Sequence, residues 1–263
     1  MYTHNLDPVM IDLGIFSLRW YSMAYIIGIF GGWWFGKKII HLVINKEKEK
    51  IPIIEFDDFV TYLIISIIIG GRLGYVLFYN FSYYISNPLE IIQIWKGGMS
   101  FHGGLVGVIL GTYIFSIKKN INIFNLLDVV ACVAPIGLFF GRIANFINGE
   151  LYGKPTEIFW SVIFPKIDYL SRHPSQIYEA ILEGLLIFIV LNFIIFTRKY
   201  KAGQCSSIFL VIYGVVRIIS ENFRVQDGSL GNIFGFLSMG SFLSLIMIIG
   251  GIIIYRKKIS HEI

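Results

Sequence analysis

The chain has 263 residues, of which 56% are hydrophobic and only 15% are Asp, Glu, Lys or Arg, against roughly 25% charged in a soluble domain. With a mean hydropathy of +0.70, that composition excludes an ordinary water-soluble globule and makes the bilayer part of the solvent. The net charge of +5 is read as basic loops that orient membrane helices, and no nucleic-acid partner is expected.

Residues 1–16 carry Asp7 and Asp12 and lack a basic leader, so no cleavable signal peptide is expected. Seven apolar stretches then follow, near 17–36, 59–79, 100–117, 124–146, 178–197, 205–223 and 235–255, each close to the ~20 residues a spanning helix needs. Of the 22 basic residues, 13 cluster after the first, third, fifth and seventh stretches, among them Lys37, Lys48, Lys118, Arg198 and Arg256. Those loops are assigned to the cytoplasm, which puts the amino terminus outside and the carboxyl terminus inside. The expected fold class is an all-α integral membrane protein of about seven transmembrane helices, one polytopic domain over 1–263. A small extracytoplasmic head is expected at about 147–177, where Gly153, Pro155, Pro165 and Pro174 are turn signals. Gly28, Gly32 and Gly36 in the first stretch, and Gly103, Gly107 and Gly111 in the third, recur every four residues and point to close helix packing. Cys132 and Cys205 are not expected to form a disulfide. Gly71-Arg72-Leu73-Gly74 faintly echoes Gly141-Arg142-Ile143-Ala144.

A charge at bilayer depth costs roughly 2.5–3.5 kcal/mol on insertion scales, so the few present need a reason. Arg72, Arg142, Arg217 and Glu221 fall in the outer half of the expected topology, with His102 and Glu150 on the same side and Asp128 near a cytoplasmic helix end. Tyr213, Arg217 and Glu221 are spaced four apart and form one helical stripe, with Arg224 on the same side; a self-neutralising structural pair and a working site fit that stripe equally well. Arg142, Asn145 and Asn148 share another face that leads into Gly149-Glu150, where the helix should stop; helix capping or a polar pocket would explain them. His102 is flanked by glycines that admit a ligand or a backbone. In His173-Pro174-Ser175-Gln176, Ser175 or Gln176 is expected to cap the fifth helix. The five histidines, His4, His41, His102, His173 and His261, have no paired ligand spacing, so no metal is expected, and no cofactor-binding loop occurs. From these residues alone an anion transporter and an enzyme both stand. The outer-half concentration favours an enzyme that draws its substrates laterally from the membrane.

The segment Gly141-Arg142-Ile143-Ala144-Asn145-Phe146-Ile147-Asn148-Gly149-Glu150-Leu151-Tyr152-Gly153 resembles the signature of the prolipoprotein diacylglyceryl transferases, G-R-x-[GA]-N-F-hydrophobic-N-x-E-x-x-G, at every fixed position. Phe101-His102-Gly103-Gly104-Leu105, the run Arg172-His173-Pro174-Ser175-Gln176 with Tyr178 and Glu179, and Tyr213-Gly214 with Arg217, Glu221 and Arg224 resemble the same family in the same order. The resemblance implies transfer of the diacylglyceryl group of phosphatidylglycerol to the lipobox cysteine of a preprolipoprotein signal peptide, at the outer face of a bacterial cytoplasmic (inner) membrane. The implied partners are those two substrates and the surrounding membrane lipids. That chemistry assigns the phosphate to Arg142, a bidentate match for its oxygens, with Arg217 sharing the task and Glu221 holding Arg217. Asn145 and Glu150 are expected to bind the glycerol hydroxyls or orient Arg142. His102 is the expected acceptor of the thiol proton and Glu150 the alternative. Tyr25 and Tyr213 are expected to shape the cavity, and Gly153 to provide a turn that a side chain would block.

Overall fold

The structure, a computed structural model, describes residues 2–14, 17–46, 50–225, 232–233 and 237–258; for residues 101–102, 232–233 and 237–239 it describes the backbone alone. Lys48, His261 and the side chain of His102 therefore lie outside the described part. In chain order the elements are β1 (Tyr2–Thr3), β2 (Val9–Asp12), β3 (Ser17–Arg19), α1 (Trp20–Leu42), α2 (Ile53–Tyr79), α3 (Phe81–Ser86), α4 (Phe101–Lys119), α5 (Ile123–Asn148), β4 (Val162–Ile163), β5 (Ser171–Arg172) and α6 (Ser175–Glu179). A π-helical segment, Ala180–Leu186, joins α6 to α7 (Ile187–Thr197); α8 (Gln204–Glu221), β6 (Asn232–Ile233), β7 (Leu237–Ser238) and α9 (Met239–Lys258) complete the chain. Helix is what an apolar chain adopts in lipid, since it satisfies its own backbone hydrogen bonds. Among the described residues six helical stretches are long and apolar enough to cross a membrane, and α4 covers the third stretch expected from the sequence. The second span begins at Ile53, six residues before its expected start, and the acidic residues ahead of Phe59 are paired with lysines of other helices: Asp57 lies 2.8 Å from Lys37 of α1, and Glu55 pairs with Lys119 of α4.

The helices fall into two compact units, one of residues 37–127 and one of residues 1–36 with 128–263. In the 37–127 unit, α2 and α4 press together through glycine. A β-carbon on Gly74 would sit 2.6 Å from Gly103 Cα, and one on Gly107 would strike the Ser66 carbonyl. The expected packing role of Gly103, Gly107 and Gly111 is thus realised, against Gly70, Gly74 and Ser66. Arg72, 3% exposed, turns its guanidinium to backbone carbonyls of the segment after α3: Nε donates to Ile91 O (2.8 Å), Nη2 to Glu90 O (2.7 Å) and Nη1 to Gly98 O (3.1 Å).

In the other unit, Gly28 of α1 meets Gly137 of α5, where a β-carbon would lie 2.9 Å from Cα. Gly214 and Gly251 let α8 and α9 approach in the same way. Asp128, fully buried, accepts from the amides of Gly203 and Ser206 (2.7 Å each) and so caps the amino end of α8. Cys132 and Cys205 are buried free thiols. The segment between α5 and α6 forms a small sheet of order β1-β4-β5, so the amino-terminal strand joins it: Tyr2 pairs with Val162 in parallel, and Val162 with Arg172 antiparallel. Arg172 braces this head through its ion pair with Asp168, a bond to Gly153 O (3.0 Å) and a stack over Tyr152. That pairing holds the Asp168 carboxyl below its ordinary range.

Candidate active site

Helix α5, the stretch α6 to α7, and α8 bring three arginines and three glutamates into one buried cluster. Arg142 Nη1 lies 2.9 Å from Glu179 Oε2, and its Nη2 and Nε donate to Glu183 Oε2 at 2.9 and 3.2 Å. Arg217 Nη1 reaches Glu179 Oε1 (3.2 Å) and Glu183 Oε1 (3.4 Å), while its Nη2 donates to Glu221 Oε2 at 2.6 Å. Arg224 Nη1 stands 3.6 Å from Glu179 Oε1. Glu179 and Glu183 are wholly buried, and the Arg142 and Arg217 side chains are 16% and 14% exposed. Charges this deep persist only when paired, and three guanidiniums against three carboxylates meet that requirement. The Glu179 Oε2 contact is close but poorly aligned as a hydrogen bond, which leaves that oxygen able to accept from a further donor.

The expected stripe on α8 is realised. Arg217 and Glu221 pair directly, and Tyr213, 2% exposed, lies in the field of Glu179, Glu183, Arg142 and Arg217. Arg224 joins them because the chain after α8 is stitched to the head: Lys154 N donates to Phe223 O (2.9 Å) and Val225 N to Tyr152 O (3.2 Å).

A second group continues along α5. Asn145 Nδ2 faces Glu150 Oε2 at 3.3 Å and the Tyr21 hydroxyl at 3.4 Å, and Asn148 Nδ2 faces Glu150 Oε1 at 3.3 Å. Tyr25 packs against Tyr21 with its ring tilted by 50° and the ring centres 5.4 Å apart. Glu150 sits in a turn flanked by two positive-φ residues, Gly149 (71°) and Leu151 (56°). Two expectations are corrected here. Ser175 and Gln176 do not cap the fifth helix, which has Pro174 at that position; Ser175 Oγ donates to Leu151 O (2.9 Å) and Gln176 Nε2 to Glu150 O (2.6 Å), so both clamp the Glu150 turn. Gly153 is not itself the turn residue. It lies where the head, His173 and the end of α8 cross, and a β-carbon would collide with the carbonyls of His173 and Phe223. A side chain is blocked there, as expected, but by proximity and not by backbone angle.

Arg142, Arg217, Glu221, Tyr213, Asn145, Glu150, Gly153 and Tyr25 thus all belong to one unit. Arg72 is engaged by carbonyls of the other unit, and the backbone of His102 lies in the first turn of α4. Glu183 was missed, although it sits in an apolar run and the insertion cost that singles out Arg142 applies to it equally. Glu179 and Gln176 stand only inside a segment that resembles the family, and Tyr21 carries no signal beyond its polarity.

Buried, ion-paired guanidiniums beside a polar turn, inside a bundle of membrane-length helices, make this an integral membrane protein with a charged cluster in its helical body. The family model described as "Prolipoprotein diacylglyceryl transferase" matches residues 8–256. A protein from Rickettsia bellii (strain OSU 85-389), named phosphatidylglycerol–prolipoprotein diacylglyceryl transferase, is 48% identical over 255 residues, covering 96% of this chain and 95% of its own. Proteins of the same name from Rickettsia felis and Rhodospirillum rubrum are 48% and 45% identical, covering 94% and 95% of this chain and 95% and 91% of their own. The chain belongs to the prolipoprotein diacylglyceryl transferase family and is a transferase of lipoprotein maturation.

Proposed function

We propose that this chain transfers the diacylglyceryl group of phosphatidylglycerol to the lipobox cysteine of prolipoprotein signal peptides. The carrying observation is that Arg142 and Arg217 converge on shared, fully buried carboxylates. The cysteine sulfur attacks the glycerol carbon that bears the phosphate; the S–C bond forms, the C–O bond breaks, and glycerol phosphate leaves with the electron pair. Negative charge grows on the leaving phosphate, and guanidiniums fixed in a low-dielectric site stabilise it without reorganising. Arg142 and Arg217 take that role, and Glu221 holds Arg217. Asn145 and Glu150 address the glycerol hydroxyls, with Tyr25 and Tyr213 as walls. A thiol with its ordinary pKa near 8.5 needs a base for attack. His102 is assigned that proton, with Glu150 as the second candidate. The distribution of basic residues supports seven spans with the amino terminus outside, and hence a site toward the periplasmic side of the inner membrane.

The test combines purified protein, phosphatidylglycerol vesicles and a synthetic lipobox peptide with one cysteine, read by mass spectrometry. A diacylglyceryl adduct with phosphatidylglycerol and none with phosphatidylethanolamine is the expected result. No adduct from folded, inserted protein would overturn the reading.

A further inference from the structure

Glu183 is the one member of the cluster that lies in none of the motif segments, yet both site arginines touch it. Its Oε2 accepts from Nε and Nη2 of Arg142, and its Oε1 from Nη1 of Arg217. A single carboxylate thus fixes the plane of one guanidinium and its spacing to the other. Two local features place it there. The chain is π-helical over Ala180–Leu186, a widened turn of the kind that recurs at functional sites. The next residue, Gly184, is pressed on α5 so closely that a β-carbon would lie 2.6–2.9 Å from Phe139 Cβ, Cα and N.

The bond to Glu183 occupies the Nε edge of Arg142, so an incoming anion meets the remaining N–H groups of Arg142 and Arg217 from a set direction. Glu183 also keeps a negative charge beside both cations. A phosphate monoester product can carry more negative charge than the diester it came from, so two uncompensated guanidiniums would hold the product more tightly than the substrate. We infer that Glu183 is a positioning residue with two effects on the reaction: it aims Arg142 and Arg217 at the reacting phosphate, and it weakens their grip on the phosphate product. This rests on the reading that these arginines take the phosphate.

The experiment measures kcat and the inhibition constant of glycerol 1-phosphate on full-length protein, with phosphatidylglycerol and the lipobox peptide as substrates. Glu183→Gln is expected to lower kcat by about tenfold or more while glycerol 1-phosphate binds about tenfold more tightly, the effect of one removed neighbouring charge. Glu183→Asp keeps the charge and shortens the arm, so kcat falls and the inhibition constant stays within about twofold of the parent. A Glu183→Gln protein with weaker product binding, or with both constants unchanged, overturns the inference. If that variant does not fold, Glu183→Asp decides by the same two readouts; an unchanged kcat, a weakened inhibitor or a failure of both variants to fold reduces Glu183 to a structural ion-pair partner. An Arg142→Lys control separates the two readings: unchanged kcat and inhibition there would remove the phosphate role of Arg142, whatever Glu183 does.

Discussion

Arg72 and Arg142 stand in nearly the same local sequence, Gly-Arg-Leu-Gly and Gly-Arg-Ile-Ala, toward the end of a long apolar helix, and they meet opposite surroundings. Arg72 is ringed by backbone carbonyls of its own unit, partial charges fixed by chain geometry. Arg142 faces two full carboxylates on other helices, shared with a second arginine. Carbonyl dipoles satisfy a cation without offering it an alternative partner, so Arg72 acts as a staple for the segment over residues 88–98. Carboxylates shared among several cations form a network in which partners can be exchanged as charge arrives and leaves. A buried arginine in a membrane protein is therefore read by what neutralises it.

The largest effect that tests this contrast is expected from Arg142→Ala. It leaves Glu179 and Glu183 short of a buried partner, a loss of about 3–5 kcal/mol, and transfer should fall below detection; thermal unfolding and the peptide assay would report both. Arg142→Lys keeps the charge and loses the planar fork, and should retain the fold while turnover drops by about 100-fold. Gly184→Val comes next: its side chain would push α5 from the π-helical segment, at a cost of about 1–3 kcal/mol in stability and with a marked fall in turnover. Gly141→Ala, where a β-carbon meets nothing within 4 Å, is the silent control. Arg72→Lys should cost about 1.5–3 kcal/mol through lost bonds to carbonyls, yet leave turnover per folded molecule as it was. A turnover loss there as large as that of Arg142→Lys would erase the distinction between staple and site.

The smallest effect concerns the head. The bond to Arg172 sets the folded pKa of Asp168 below its unfolded value of 3.8. A depressed folded pKa means that the pair stabilises the head above that value and the contribution is lost as pH falls through the lower, folded one. The protection factors of the β4 and β5 amides against hydrogen exchange should therefore fall in acid below about pH 4, and Asp168→Asn should remove that pH dependence.

Much of the candidate site was legible because membrane burial makes charge conspicuous: Arg142, Arg217 and Glu221 stood out against apolar neighbours, and their helical spacing gave the α8 stripe. The same reasoning should have found Glu183. Gln176 was misread, since as a polar residue after proline at a helix start it has the signature of a cap, and only the path of the chain through Glu150 shows its amide to be bound elsewhere.

Hydropathy and four-residue spacing already specify a helical, membrane-embedded chain and the glycine faces that pack, because both are local properties of a helix in lipid. Which acid neutralises which arginine, that the amino-terminal strand completes the head, and that Gly153 and Gly184 are required for proximity emerge from packing in three dimensions. Those outcomes depend on distances of a few ångströms between elements far apart in the chain, and no periodicity encodes them.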